Sequence, residues 1–543
     1  MKNLSLYDSG QGDQPGYAAQ RKLISAMLGG RLYPHAALTV RLVETHISWV
    51  LLAGRYAYKI KKALDLGFLN FTSLQARQFY CVEEIRLNRR LAPKIYLDVV
   101  PIGGSSERPQ FGVEPAIEYA VRMRRFATKN QLDVLLVSGE VTPQHMGHLA
   151  ATLAAFHGSL PPAPADSAFG TPATILHAAM QNFEQLLGLP LAQNERDAVS
   201  ALRRNTELAY AACESYLAQR REQGFVRECH GDLHLGNIVL IGNEPVPFDG
   251  IEFNPELRWI DVIDEVAFLV MDLLHGRRAD LAYRLLNAWL EESGDYASVA
   301  VLRFYLAYRA TVRAKVNAIR AFQPDCKPRL KRQALSAARS YLALAASCLV
   351  RPPCALIITH GLPGSGKSTF AQAALQRLGA IRIRSDAERK RLFGLKPLEA
   401  SSGRVDIYTP GATQRTYARL HELAGNLLDA GFTVIVDAAF VLKQERELFR
   451  QLAQGRGVPF VIAAMQASEA TLTARVEQRR IAATDPSEAD VDVLRLVQAT
   501  LQPLLPHELE CTMEILNDTC QQRIADDAGA WDTLEQLLTA PVR

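Results

Sequence analysis

A chain of 543 residues is longer than one hydrophobic core ordinarily supports, so two or three domains are expected. Hydrophobic residues at 48% and charged residues at 22% exclude a disordered chain, and a formal net charge of +4 gives no argument for nucleic acid or an anionic membrane as partner. The N-terminal MKNLSLYDSGQGDQPGY lacks the apolar core of a signal peptide, the apolar stretch from Tyr341 is too short for a membrane span, and the cysteines have no C-x-x-C or zinc-ligand spacing, so a cytoplasmic protein with reduced thiols is expected.

In chain order, LTVRLVET, SWVLLAG and YAYKIKK read as strands, and from about Gln131 the pattern turns helical, as in MGHLAATLAAFHG and LAYRLLNAWLEE. This predicts a small β-rich lobe over residues 1–130 and a larger helical lobe over 131–350. Lys59 and Lys61 share one strand face, because side chains alternate along a strand. On the helix through FYCVEEIRLNRRL, Glu84 falls on the apolar stripe of Tyr80, Leu87 and Leu91. A carboxylate there needs a buried partner; surface placement is the alternative.

His230-Gly231-Asp232-Leu233-His234-Leu235-Gly236-Asn237 keeps the Asp-to-Asn spacing of the protein-kinase catalytic loop, with Gly where that loop has Arg. In such a loop the Asp receives the acceptor proton and the Asn binds metal. PFDGIEF then supplies Asp249 after a short apolar strand, where kinases place their other metal carboxylate. These residues closely resemble the aminoglycoside and choline phosphotransferase family, over about Val40 to Tyr341. The resemblance implies an α+β, protein-kinase-like two-lobe fold, with Lys59 as the strand lysine, Glu84 as its helix partner, Asp232 as the catalytic residue, and Asn237 and Asp249 as metal ligands. One departure stands out: the turn Glu44-Thr45-His46-Ile47-Ser48 lacks the glycine-rich loop. The Thr45 and Ser48 hydroxyls either meet phosphate or cap the turn.

The stretch from Arg303 to Arg339 concentrates positive charge. A solvated face is the favoured reading over an anionic-acceptor pocket or a nucleic-acid surface, and the lack of an aromatic stacking pattern weakens the nucleic-acid version.

Arg351-Pro352-Pro353 ends this helical region, and the buried-strand run ALIITHG follows, so a domain boundary is placed there with a second domain over 351–543. Strands ALIIT, AIRIRS, FTVIVDA, PFVIAAM and CTMEILN alternate with helices, one from Thr416, which predicts an α/β domain with a parallel sheet. Gly361-Leu362-Pro363-Gly364-Ser365-Gly366-Lys367-Ser368-Thr369 fits G-x-x-x-x-G-K-[ST] between strand and helix, the setting of a phosphate-binding P-loop. Gly361, Gly364, Ser365, Gly366 and Thr369 would shape the loop, Lys367 would meet the phosphates and Ser368 would hold Mg²⁺. Asp437 ends VIVD, where it either orients the metal or caps the next helix; Asp386 is either a base for the acceptor hydroxyl or, with Ser385, a helix cap.

The segment resembles the P-loop kinases of small molecules and nucleic-acid ends, from about Ala355 onward. The resemblance implies Asp386 as the acceptor-side carboxylate and LTARVEQRRIAATDPSEAD as a lid. Its arginines Arg475 and Arg479 lie on one helix face and either meet the transferring phosphoryl group or remain solvated. The leading expectation is an ATP- and Mg²⁺-dependent kinase with two sites, acting on a hydroxyl of a small molecule. Competing readings are a regulatory, non-catalytic N-terminal domain and a C-terminal kinase of nucleic-acid 5′ ends.

Overall fold

The computed structural model describes residues 15–67, 69–323, 326–399, 401, 407, 409–482, 486–518 and 528–539. Residues 1–14 and, within the segment expected to be a lid, 483–485 lie outside the described residues. Two compact units divide the chain: one takes residues up to 145, 156–276 and 304–346, the other 146–155, 277–303 and 347–543. No described helix is long and apolar enough to cross a membrane.

In the first unit, α1 (Pro15–Ala26) precedes β1 (Val40–Glu44), β2 (Ser48–Ala53) and β3 (Tyr56–Lys61), and α2 (Leu74–Asn88) follows. Ser73 starts α2 as its N-cap, accepting the Ala76 N–H. With β4 (Tyr96–Gly104), β5 (Pro109–Phe111) and β6 (Glu118–Arg124) the strands form an antiparallel sheet of order β1-β2-β3-β6-β4-β5. Trp49, Leu51, Tyr58 and Ile60 fill one face of it.

Then come α3 (Leu132–Ser138), α4 (Pro143–Ser159), α5 (Pro172–Leu187), α6 (Gln193–Glu222), β7 (Val226–Glu228), β8 (Ile238–Ile241), β9 (Glu244–Pro247), β10 (Trp259–Asp261), α7 (Val262–His275), α8 (Ala279–Ser293), α9 (Val299–Ala321) and α10 (Pro328–Leu349). The ribbons β7–β10 and β8–β9 frame the H-G-D loop from either side. Every residue of α7 from Val262 to Leu273 is buried, so this helix is a core post against which the loop can be fixed.

The second unit is built on five parallel strands, as the alternation predicts. Strands β11 (Leu356–His360), β12 (Ile381–Arg384), β13 (Val434–Asp437), β14 (Phe460–Gln466) and β15 (Thr512–Leu516) lie in the order β12-β13-β11-β14-β15. The crossovers include α11 (Lys367–Leu378), α12 (Ser385–Leu392), α13 (Pro410–Asp429), α14 (Lys443–Gly455) and α15 (Glu469–Ala482). Helix α13 begins at Pro410 and not at Thr416: Thr409 caps it by accepting the Ala412 N–H, and proline at N1 suits a position that needs no donor. Ile357, Phe370, Ile435, Val461 and Trp531 are central to this unit's core.

Helix α8 belongs to this second unit although α7 and most of α9 belong to the first. Its Asn287 donates to Ala380 O at 2.9 Å and accepts the Arg382 N–H at 2.6 Å. The side-chain amide thus satisfies the outer edge of β12 as a neighbouring strand would.

Candidate active sites

In the first unit, the alternation of YAYKIKK brings both lysines to one face of β3, where α2 meets them with Glu84. Lys59 Nζ lies 2.9 Å from Glu84 Oε1 and 2.5 Å from Asp249 Oδ1. Lys61 Nζ lies 2.7 Å from Glu84 Oε2 and also pairs with Glu252. Glu84 is fully buried, so the surface alternative is excluded. The surroundings of Asp249 disfavour its charge, but Lys59 outweighs this and holds the carboxyl below its usual pKa. Its side chain is still 44% exposed.

Asp249 has a left-handed backbone, φ 65°, stabilised by its N–H donating to the Tyr96 hydroxyl at 3.0 Å. Asn237 Nδ2 donates to Asp232 O at 3.0 Å and Asp232 Oδ2 at 3.1 Å, which leaves its amide oxygen for a cation. Gly stands where protein kinases have Arg for a physical reason: Gly231 has φ 87°, and a Cβ there would lie 2.6 Å from Leu257 O.

Helix α7 braces this loop. Glu265 Oε1 accepts the N–H of His230 and, at 3.0 Å, that of Gly231, while Oε2 pairs with His157 Nε2 at 2.8 Å. Burial opposes the charge on Glu265, yet the bond from His157 and the donors of the loop pull its pKa down to about 2. His157, Cys229 and Glu265 come within 4.8 Å of one another. The carboxylate is already engaged by the loop, so the cluster is a brace and not an ion site. Asp272 holds the Leu235 N–H at 3.1 Å, and Arg309 pairs with Asp264 through two bonds of 2.7 Å. Arg309, read from the sequence as part of a solvated face, is therefore internal. Thr45 accepts the Ser48 N–H and donates to Ser48 O, both at 3.0 Å, so its hydroxyl closes the β1–β2 turn.

In the second unit, β11 delivers the chain into the loop Gly361–Thr369, and α11 leaves it from Lys367. Gly361 has φ 137°, and a Cβ there would collide with Met465 O. Gly364 and Gly366 also have positive φ. Ser368 and Thr369 occupy the first turn of α11, and Lys367 Nζ donates to Leu362 O at 2.8 Å. The Ser365 hydroxyl is buried without a hydrogen-bond partner, while Asn517 secures the Ser365 carbonyl at 2.8 Å.

Burial lowers the pKa of Lys367 to about 8 against the pull of Asp437 and Asp386, with Arg479 adding to the fall. Asp437, Asp386 and Arg479 each lie near enough to Lys367 to act on its charge. Neither carboxylate caps a helix: α12 has Arg384 at its N-cap with no side-chain bond, and α14 has Leu442. Asp437 Oδ2 is buried and accepts no hydrogen bond. Arg475 Nη1 lies 3.3 Å from Gly364 O, on the loop itself, whereas Arg479 Nη2 donates to Ala489 O at 3.2 Å.

This environment predicts a proton linkage. At pH 8.5 the Lys367 amine is largely neutral, and neighbouring phosphates favour the ammonium, so nucleotide binding takes up a proton. At pH 6.5 the amine is already charged and uptake at Lys367 vanishes. Calorimetry in buffers of different ionisation enthalpy, on the Asp249→Ala chain, measures it; equal uptake at both pH values would contradict the assignment.

Residues outside the sequence-level set also matter. Glu252 sits one turn of chain past Asp249 in DGIEF, a signal that was available. Arg384 and Glu291 gave none, because they meet only through the packing of α8 against β12.

Residues 356–504 match the model of an AAA-domain family. Uncharacterized proteins of Mycobacterium tuberculosis and Mycobacterium bovis are 31% identical over 416 residues, covering 76% of this chain and 80% of theirs. Among solved structures, an amicoumacin kinase in complex with AMP-PNP, Ca²⁺ and Ami is 14% identical, with TM-score 0.40 and coverage of 61% of this chain and 94% of that one. A gluconokinase from Sinorhizobium meliloti is 20% identical, with TM-score 0.26 and coverage of 35% and 95%.

Proposed function

The chain belongs to the same family as these mycobacterial proteins, and we propose that it is an ATP-dependent phosphotransferase with a kinase-type site in each unit, acting in the cytoplasm. Each site transfers the γ-phosphoryl group of Mg·ATP to a hydroxyl of a small molecule. The observation that carries this reading is the glycine-shaped P-loop with Lys367 at the start of its helix, where Asp437, Asp386 and Arg479 act on the lysine's charge: a phosphate cation, a metal-side acid, an acceptor-side acid and a lid cation. The Lys59, Glu84, Asp249, Asp232 and Asn237 constellation supports the same reading for the first unit.

The donor sets suit a divalent cation. Asp249 and the Asn237 amide oxygen would hold it in the first unit, and Ser368 with Asp437, whose Oδ2 accepts no hydrogen bond, in the second. When bound, the cation neutralises phosphate charge. Asp232, oriented by Asn237, takes the proton of the acceptor hydroxyl in the first unit, and Asp386 does so in the second. Lys59 and Lys367 hold the phosphates, while Arg475 steadies the loop through Gly364 O.

A metabolite-pool screen with γ-labelled ATP tests the reading by comparing the parent chain with Lys367→Ala and Asp232→Ala. Products lost with one variant and retained with the other assign acceptors to sites; no labelled product with any chain would sink the proposal. A regulatory role for the first unit is the second reading, favoured by the Thr45 hydroxyl being spent on its own turn. Asp249→Ala is expected to weaken Mg·ATP binding about tenfold or more at that site through loss of a charged ligand, whereas Asp232→Asn should keep the affinity and lose the chemical step. Calorimetry on chains carrying Lys367→Ala reads this difference, and absence of nucleotide binding there would favour the regulatory reading.

A further inference from the structure

We infer that Glu291 of α8 is a positioning residue of the P-loop site: it holds Arg384 off the Asp437 carboxylate, keeping that carboxylate available to a divalent cation. The inference rests on the reading of the P-loop site as one that binds a metal–nucleotide complex. It adds a participant from far upstream of the loop, outside the matched AAA-domain residues 356–504.

The geometry is a short relay of charges. Arg384 is the last residue of β12 and lies in register with Asp437 at the end of β13. Its Nε is 3.6 Å from Asp437 Oδ2, close enough for attraction but too far for a hydrogen bond. On the other side, Arg384 Nη1 donates to Glu291 Oε1 at 3.2 Å, and Arg382 Nη2 donates to Glu291 Oε2 at 2.9 Å. Burial works against the Glu291 charge, but Arg384 and Arg382 outweigh it and hold the carboxyl below its usual pKa. Arg384 therefore lies between two carboxylates and hydrogen-bonds to Glu291.

Helix α8 cannot drift from this arrangement. Asn287, one turn before Glu291, makes two bonds to the β12 edge, and Tyr283 lies against Gly379, where even a Cβ would come within 2.9 Å of its ring. The site of competition is also dry. Arg384 is 8% exposed and Asp437 5%, so attraction between them is weakly screened. Without the Glu291 charge, Arg384 would close on Asp437 as a charge-assisted pair and compete with the cation.

Mn²⁺ binding with a non-hydrolysable ATP analogue, followed by electron paramagnetic resonance, tests this on the full chain carrying Asp249→Ala to weaken metal binding at the other site. Glu291→Gln is expected to weaken Mn²⁺ binding about tenfold or more, the scale of a charge-assisted bond gained by the competitor. The double variant Glu291→Gln/Arg384→Gln is expected to recover affinity to within a few-fold of the parent, because the competitor is gone. A purely structural role for Glu291 would show no such recovery. Hydrogen exchange of the β12 amides checks that each variant retains its fold. Unchanged Mn²⁺ affinity in a folded Glu291→Gln chain, or a double variant no better than the single, overturns the inference. A parent chain with no Mn²⁺–nucleotide binding sensitive to Lys367→Ala overturns the kinase reading of the site, and the inference with it.

Discussion

Replacing Lys367 with alanine is expected to reduce phosphoryl transfer at the P-loop site by about 10²- to 10³-fold, the usual cost of losing one preorganised group aimed at developing charge. Fold stability should not fall. The Lys367 ammonium is disfavoured where it sits, since burial lowers its pKa to about 8, and its bond is to the neighbouring carbonyl of Leu362. An alanine removes a cation that folding does not welcome at neutral pH. The sign follows from linkage: below about pH 8 the folded state pays for a proton that the unfolded chain binds more readily, and this penalty fades as pH rises through that value. Transfer of labelled phosphate, with thermal unfolding at pH 7, separates the two effects. Retained turnover, or a collapse of stability at full turnover, would contradict the assignment.

A loss of stability is expected where the first unit buries its charges. Lys61 is inaccessible to solvent and answers both Glu84 and Glu252, which are themselves buried. Lys61→Met leaves Glu252 without its lysine and Glu84 with Lys59, which Asp249 also shares, and breaking a buried pair by removing one partner costs about 3 to 5 kcal/mol. The double variant Lys61→Met/Glu252→Gln should lose less than the sum of its single changes, because it removes an orphaned charge along with its partner. Urea unfolding followed through hydrogen exchange of the β3 amides reads both. Strictly additive losses, or a Lys61→Met cost below about 1 kcal/mol, would show that the network is not coupled.

The same network explains what was legible beforehand. Alternation in YAYKIKK placed both lysines on one face and the helical stripe placed Glu84 inward, while the choice of Lys59 as its partner came from the resemblance to the phosphotransferase family. That Glu84 serves both lysines was not legible, since the second lysine is completed by Glu252, brought in by the chain reversal after Asp249. In the P-loop half, the order of strands and helices was open to reading because parallel strands are continuous apolar runs. The start of α13 was missed: the Thr409-Pro410 cap lies six residues before the first strongly periodic position, and capping signals are weaker than periodicity. Glu291 was invisible for a different reason. Sequence proximity assigns it to the helical lobe, while the fold sends α8 into the other unit.

That placement of α8 also bears on inheritance. A gene fragment beginning near Arg351 encodes every residue of the P-loop motif, yet it lacks Asn287, and with it the cover for the Ala380 carbonyl and the Arg382 N–H on the outermost strand. A sheet margin stripped in this way invites pairing with other chains. The P-loop half is thus a poor cassette for recombination. A chain that loses its first 350 residues in one step also loses a wall of the half it keeps.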